Sequence, residues 1–346
     1  MPTSRKLLLA LALPCLAATA ASEEALPVHT LDNGSVRATV SEAIGGRLLS
    51  FGLAGQPNFL RLDTRAGNPA APVDVNGENV GYLGHEVWVG PQKQWWVHQD
   101  LHAARARAKA VWPPDPYLSL ATYTLEESTP TGLALRGPAS PVTGVELKKR
   151  YALVEGKPNS LRLDVAATNR RATQVAWDIW FNTRAHADTF VYVPVASKDD
   201  VRVEAAEAGR PAPRYQLAQG IFALDVPSPA AADAARKGKV FLQPSNGWLA
   251  GFRGGQMLVI QFAHQARTAI HPDQGQVELY HDVEPGQPEA GILEMEVHAP
   301  YRKLAPGQAM QAQEIWTVLP YDGAATRTAH LAFLRTHAKE LGLSGL

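Results

Sequence analysis

Between Gly291 and Leu319, apolar and ionisable residues take turns: Leu293, Met295 and Val297 alternate with Glu294, Glu296 and His298. A period of two belongs to a strand, so the apolar set turns into a core and two carboxylates and a histidine share the opposite face. Ala305-Pro306-Gly307 then marks a turn. It leads into a second run, Ala312, Glu314, Trp316 and Val318, which predicts the paired return strand or a near neighbour.

The same alternation recurs upstream. Leu118, Leu120 and Thr122 alternate with polar or small residues, as do Val145 to Tyr151, Leu161 to Ala167 and Val175 to Phe181, with turn residues between the runs. Asn33-Gly34 and Arg253-Gly254-Gly255-Gln256 read as hairpin turns. Gly45-Gly46 reads as a turn or a close backbone approach, since no phosphate-loop pattern follows it. Residues 194–237 are less regular and read as an excursion with one short helical turn. Only the end differs in kind: Leu331, Leu334, His337, Ala338 and Leu341 recur at helical spacing. These patterns predict an all-β chain, a large antiparallel β protein with a peripheral C-terminal helix over 325–342. No repeat appears, which argues against a propeller.

Residues 1–20 read as a signal peptide: Arg5 and Lys6, an apolar run from Leu7 to Ala18 too short to span a bilayer, then Ala18-Thr19-Ala20. The expectation is a single domain over 21–346, exported to the periplasm or secreted. The one cysteine, Cys15, lies in that leader, so the mature chain has no disulfide and no thiolate metal site. Lipid anchoring through Cys15 is the less favoured reading, because Pro14 before it suits a lipoprotein cleavage box poorly. The 33 basic and 33 acidic side chains are interspersed without long runs of one sign, which argues against a nucleic-acid or anionic-membrane partner. No later stretch has the apolar length of a membrane span. Oligomeric state is not legible.

Four of the eight tryptophans, Trp88, Trp95, Trp96 and Trp112, fall between residues 88 and 112, among prolines that discourage regular helix. A single tryptophan usually fills a core. Grouped with His85, His98 and Asp115, these read as the floor of a polar-ligand site, as sugars offer C–H faces for indoles and hydroxyls for polar partners. Asp178, between Trp177 and Ile179 on a strand, and His281 join the candidate substrate-binding set.

The start, Leu31-Asp32-Asn33-Gly34 with Ile44-Gly45-Gly46-Arg47-Leu48, resembles that of galactose-mutarotase-like (aldose 1-epimerase-like) β-supersandwich domains. Gly84-His85-x-x-Trp88-x-x-Pro91 and Trp112-Pro113-Pro114-Asp115 look like segments of an uncharacterised bacterial branch of that superfamily. Leu293-Glu294, followed by Leu304-x-Pro306-Gly307-Gln308, is similar to the closing strands that carry the epimerases' catalytic glutamate. The resemblance spans most of residues 26–320. It implies a carbohydrate partner and a reaction in which a glutamate takes the anomeric hydroxyl proton while a histidine protonates the ring oxygen. Carried across, Glu294 matches the base, Glu296 shares its face, and His186 lies in the region of the acid, although the residues around it depart from the epimerase pattern. Two alternatives stand beside an epimerase: a non-catalytic glycan-binding protein, and a relative of polysaccharide lyases or hydrolases.

No cofactor motif is present. His85, His98, His186, His281 and His298 lack the HExxH or HxH spacing of metal ligands, so a metal site would require convergence in space. No metal is expected. Arg47 reads as a structural partner near the glycine turn.

Overall fold

The computed structural model describes residues 26–63, 70–227, 235–284 and 290–346. The leader and Cys15 lie outside the described residues. In chain order the strands are β1 (His29–Asp32), β2 (Val36–Ser41), β3 (Arg47–Leu53), β4 (His85–Gly90), β5 (Thr124–Thr129), β6 (Gly132–Arg136), β7 (Val145–Leu153), β8 (Ser160–Asn169), β9 (Val175–Ala185) and β10 (Phe190–Pro194). There follow β11 (Val201–Ala205), β12 (Tyr215–Ala218), β13 (Ile221–Leu224), β14 (Arg236–Leu242), β15 (Trp248–Arg253), β16 (Gln256–Phe262), β17 (Val277–Val283), β18 (Ile292–His298), β19 (Arg302–Leu304) and β20 (Ala309–Pro320). Three α-helices accompany them among the described residues: α1 (Ala103–Ala108), α2 (Pro116–Ser119) and α3 (Arg327–Leu341). Among these described helices none is long and apolar enough to cross a membrane.

The strands form two antiparallel sheets packed face to face. The first runs β1-β2-β3-β4-β9-β18-β17-β14-β11, with β19 also on β9; the second runs β12-β13-β10-β15-β16-β20-β8-β7-β6-β5. Between them the alternating apolar residues interdigitate, Val87, Ile179, Phe181, Met295 and Leu279 from one side and Leu135, Leu147, Leu163, Ile260 and Trp316 from the other. α3 covers the outer face of the second sheet, where Leu331 and Leu334 bury against Phe252 and Val259. Its start is capped by the Thr326 hydroxyl accepting the Ala329 N–H, and its end by Gly342 at φ +68°.

Local expectations fail where tertiary pairing decides. The run after the Pro-Gly turn is not the partner of Ile292–His298. β18 already has β9 on one edge and β17 on the other, so β20 joins the second sheet between β16 and β8. Leu118 does not begin a strand: Asp115 accepts the Tyr117 N–H and Pro116 takes the first helical position, so the segment folds as α2. The stretch among the prolines accommodates α1. Residues 194–237 do contain the expected short helical turn, Lys198–Asp200, but their described residues also hold β11, β12 and β13, the last two joined through Gln219 and Gly220, both in the left-handed region. The Gly45 expectation holds: its φ is +77°, and a Cβ would lie 2.6 Å from the carbonyl oxygens of Leu118 and Ser119.

Candidate functional site

Period-two geometry sorts the first sheet into an apolar face against the core and a polar face turned away from it. On the polar face, register brings Glu294 opposite Arg184 and Tyr280, Glu296 opposite Asn182 and Glu278, and His298 opposite Trp180. The segment 91–120 covers the β4–β9 side. There Trp88 donates its indole N–H to Ser119 Oγ at 2.9 Å, Trp95 to the Val89 carbonyl at 2.5 Å and Trp96 to the Pro113 carbonyl at 2.8 Å. Toward β14 and β11 the face stays open as a cavity of about 340 Å3, walled by Pro91, Trp180, Lys239, Phe241, Gln274 and Glu278.

Two rows of charge cross this face. In the first, Arg47 Nη2 donates to Glu86 at 2.7 Å, Arg184 donates to the other Glu86 oxygen, and Arg184 Nε donates to Glu294 at 2.8 Å. Burial alone would raise the Glu86 carboxyl, but the two guanidinium groups outweigh it and bring its pKa down to about 2.

The second row borders the cavity. Lys239 reaches from β14 and places Nζ 2.6 Å from both Glu278 and Glu296, its ammonium 4.7 Å from the Trp180 ring. His298 stands between carboxylates, Nδ1 3.4 Å from Asp178 and Nε2 3.5 Å from Glu278. Asp178 accepts the Gly90 N–H at 2.9 Å, and the Gln274 side-chain amide lies 2.9 Å from His298 Nδ1. A Cβ at residue 90 would overlap Gln274 and Asp178, so glycine keeps that approach open.

Protonation in this row follows from who faces whom. Burial disfavours every charge here. For Glu278 the Lys239 ammonium and His298 outweigh that penalty and hold the carboxyl below its usual range. Glu296 is buried beside Glu294 and Glu278, and Lys239 does not offset them, so its carboxyl is raised. Burial would lower His298, but Glu278 and Asp178 lift it to about 9. The two facing carboxyls therefore titrate as a pair, Glu278 pushed toward the ionised form and Glu296 toward the protonated one.

The predicted site residues distribute as follows. Glu296 and Asp178 belong to the second row. Glu294 closes the first, its side chain 17% exposed and bound to Arg184. His186 stands in the turn after β9, its carbonyl accepting the Thr189 N–H at 3.0 Å. His85 and His281 point the other way, into the core: His85 Nδ1 lies 3.0 Å from Thr183 Oγ1 with Trp316 edge-on, and His281 Nε2 lies 2.9 Å from the Ala187 carbonyl. Burial lowers both imidazoles and leaves them neutral. Trp88, Trp95 and Trp96 are buried in the packing of segment 91–120, Trp112 is 50% exposed against Trp88, and His98 is exposed beside Gln94.

Glu278, Lys239, Trp180 and Phe241 escaped the sequence reading. A signal existed: Glu278, Tyr280 and Asp282 alternate with Val277, Leu279 and His281, as Lys239 and Phe241 do with Val240 and Leu242. The arrangement joins an aromatic wall to two facing carboxyls whose pKa values are pushed apart, equipment for moving a proton on a polar ligand.

The two large antiparallel sheets have the galactose-mutarotase-like β-sandwich fold. The fold is shared, at 10% identity, with a galactose mutarotase related enzyme from Lactobacillus acidophilus, covering 87% of this chain and 100% of that one with a TM-score of 0.51. A protein from Synechocystis sp. PCC 6803 superimposes with a TM-score of 0.53 at 12% identity, over 88% of this chain and all of that one. A galactose mutarotase-like protein from Clostridium acetobutylicum reaches 0.50 at 8% identity, over 86% and 99%. By sequence the chain belongs to the family described as Domain of unknown function (DUF4380), over residues 28–319. No curated protein matches it.

Proposed function

We propose that this protein binds a free sugar in the cavity beside Trp180 and Phe241 and catalyses mutarotase-like opening and reclosure of its ring. The observation that carries the reading is the facing pair Glu278 and Glu296, both bound to Lys239 at the cavity floor, the first carboxyl held below its usual range and the second raised above it. The hydroxyl and ring oxygens of an anomeric centre sit on one carbon, so a base and an acid side by side can serve both. Glu278, on the cavity wall, takes the hydroxyl proton. Glu296, through Lys239, returns one to the ring oxygen, and recyclisation reverses both transfers. Trp180 and Phe241 supply apolar surface for the sugar's C–H face.

The fixed Lys239 bridge favours a second reading. Two contacts of 2.6 Å occupy carboxylate oxygens that catalysis needs, as they would in a glycan-binding protein that performs no chemistry. NMR exchange spectroscopy of α-to-β interconversion, on a panel of aldoses and uronic acids, separates the two. Acceleration that falls by about 10²–10⁴ in Glu278→Gln is expected for the enzyme. Chemical-shift evidence of binding without acceleration on any sugar would leave the binding protein. Export is proposed on residues 1–20 alone, and the N-terminus of protein recovered from the cell tests it.

A further inference from the structure

We propose that Glu278, Glu296 and His298 form a divalent-cation site that Lys239 keeps filled with its own ammonium, so that a metal and this side chain compete for one set of donors. The three residues each offer a ligand atom, all three atoms lie within 4.8 Å of one another, and all three residues are buried. Two carboxylate oxygens and an imidazole nitrogen suit a first-row transition ion. A further observation points to a cation at this place. Asn182, wholly buried on β9, sets its amide 3.4 Å from Glu296, and its Oδ1 has no hydrogen-bond partner among the described residues. Inside the group itself His298 Nε2, wholly buried, also has no hydrogen-bond partner among the described residues, which leaves a nitrogen there for a cation to take.

Lys239 meets that demand in part. Its Nζ bridges Glu278 and Glu296 but supplies one charge and leaves Asn182 Oδ1 and His298 Nε2 without a hydrogen bond. The lysine arrives from the open side: its side chain is 18% exposed and lines the cavity, which has room to receive it when it withdraws. The carboxylates arrive from β17 and β18 and the amide from β9, so removing the lysine leaves the donors in place.

The test uses the full mature chain, free of affinity tag and stripped with chelator. It is titrated with Co2+, whose visible absorption reports nitrogen and oxygen coordination, and with Zn2+ by calorimetry. Lys239→Ala is expected to bind one ion per chain at least about tenfold more tightly than the unaltered protein. Adding His298→Ala should abolish that gain. Lys239→Gln, which keeps the length without the charge, serves as the second variant, and circular dichroism reports whether each is folded. The proposal is overturned if neither lysine variant binds more tightly than the unaltered protein, or if the gain survives loss of His298. Tight binding to the unaltered chain that depends on His298 would also sink it, because Lys239 would then not be competing. None of these readouts depends on sugar chemistry.

Discussion

The two charge rows on the polar face of the first sheet share strands β9 and β18, yet they do opposite things. In the row through Glu86, two guanidinium groups alternate with two carboxylates, and each Glu86 oxygen has its own arginine. Planar forks satisfy a buried carboxylate completely, so this row is closed. In the row through Glu278, carboxylates outnumber cations: Asp178, Glu278 and Glu296 share one lysine and one imidazole. The imbalance must be met with a proton. Stoichiometry within a row, rather than polarity or burial, separates scaffold from candidate chemistry here.

The sharpest way to break this comparison is to unpair the closed row. Arg184→Met should cost about 3–5 kcal/mol in urea unfolding at neutral pH, because Glu86 would keep its burial and lose a cation. A cost below about 1 kcal/mol would show that the closed row is no more than a solvated ladder. The rows also compete for the role of base. Glu278→Gln should lower catalysed sugar interconversion by about 10²–10⁴, whereas Glu294→Gln should leave it within about threefold. The reverse order would move the base to Glu294 in the first row, the residue that the resemblance matched to it.

Stability against pH should separate Glu86 of the first row from His298 of the second by sign. Glu86 titrates at about 2 in the folded chain, below its ordinary 4.5, so its contribution is present above about 4.5 and fades as pH falls toward 2. His298 is raised from 6.5 to about 9, so its contribution is full below about 6.5 and is lost as pH rises through 9. Each slope is at most about 1.4 kcal/mol per pH unit per proton. Denaturant midpoints measured across pH should show Glu86→Gln flattening the acid limb and His298→Gln the alkaline limb. Interchanged effects would refute the assignment. The smallest expected effects lie at the margins of the face. Phe241→Ala should weaken sugar binding by about 1 kcal/mol in calorimetry. Trp112→Ala, half exposed, should change stability by under about 0.5 kcal/mol and leave binding intact.

Much of this architecture was legible because alternation is a local property. The faces of β7, β8, β9 and β18 and the face of α3 follow from spacing alone, and both glycines of the Gly45-Gly46 turn announced their place. His85 and His281 show the limit. Alternation put His281 with Val277 and Leu279, on the inward side, but a histidine's chemistry suggested a site, and burial beside Trp316 or under the Ala187 carbonyl is invisible in one dimension. The tryptophans of 88–96 failed for a related reason: their indole N–H groups find backbone and serine partners close by, which makes them packing.

The sequence by itself determined which residues share a face, since side-chain direction in a strand depends only on parity. It also determined the all-β class and the closing helix. Only the tertiary structure decided which strands are neighbours: that β18 lies between β9 and β17, that β20 joins the other sheet, and that Lys239 reaches across from β14. Those are long-range pairings set by packing two apolar faces together. They alone turn a scattered Asp178, Lys239, Glu278, Glu296 and His298 into one coupled group.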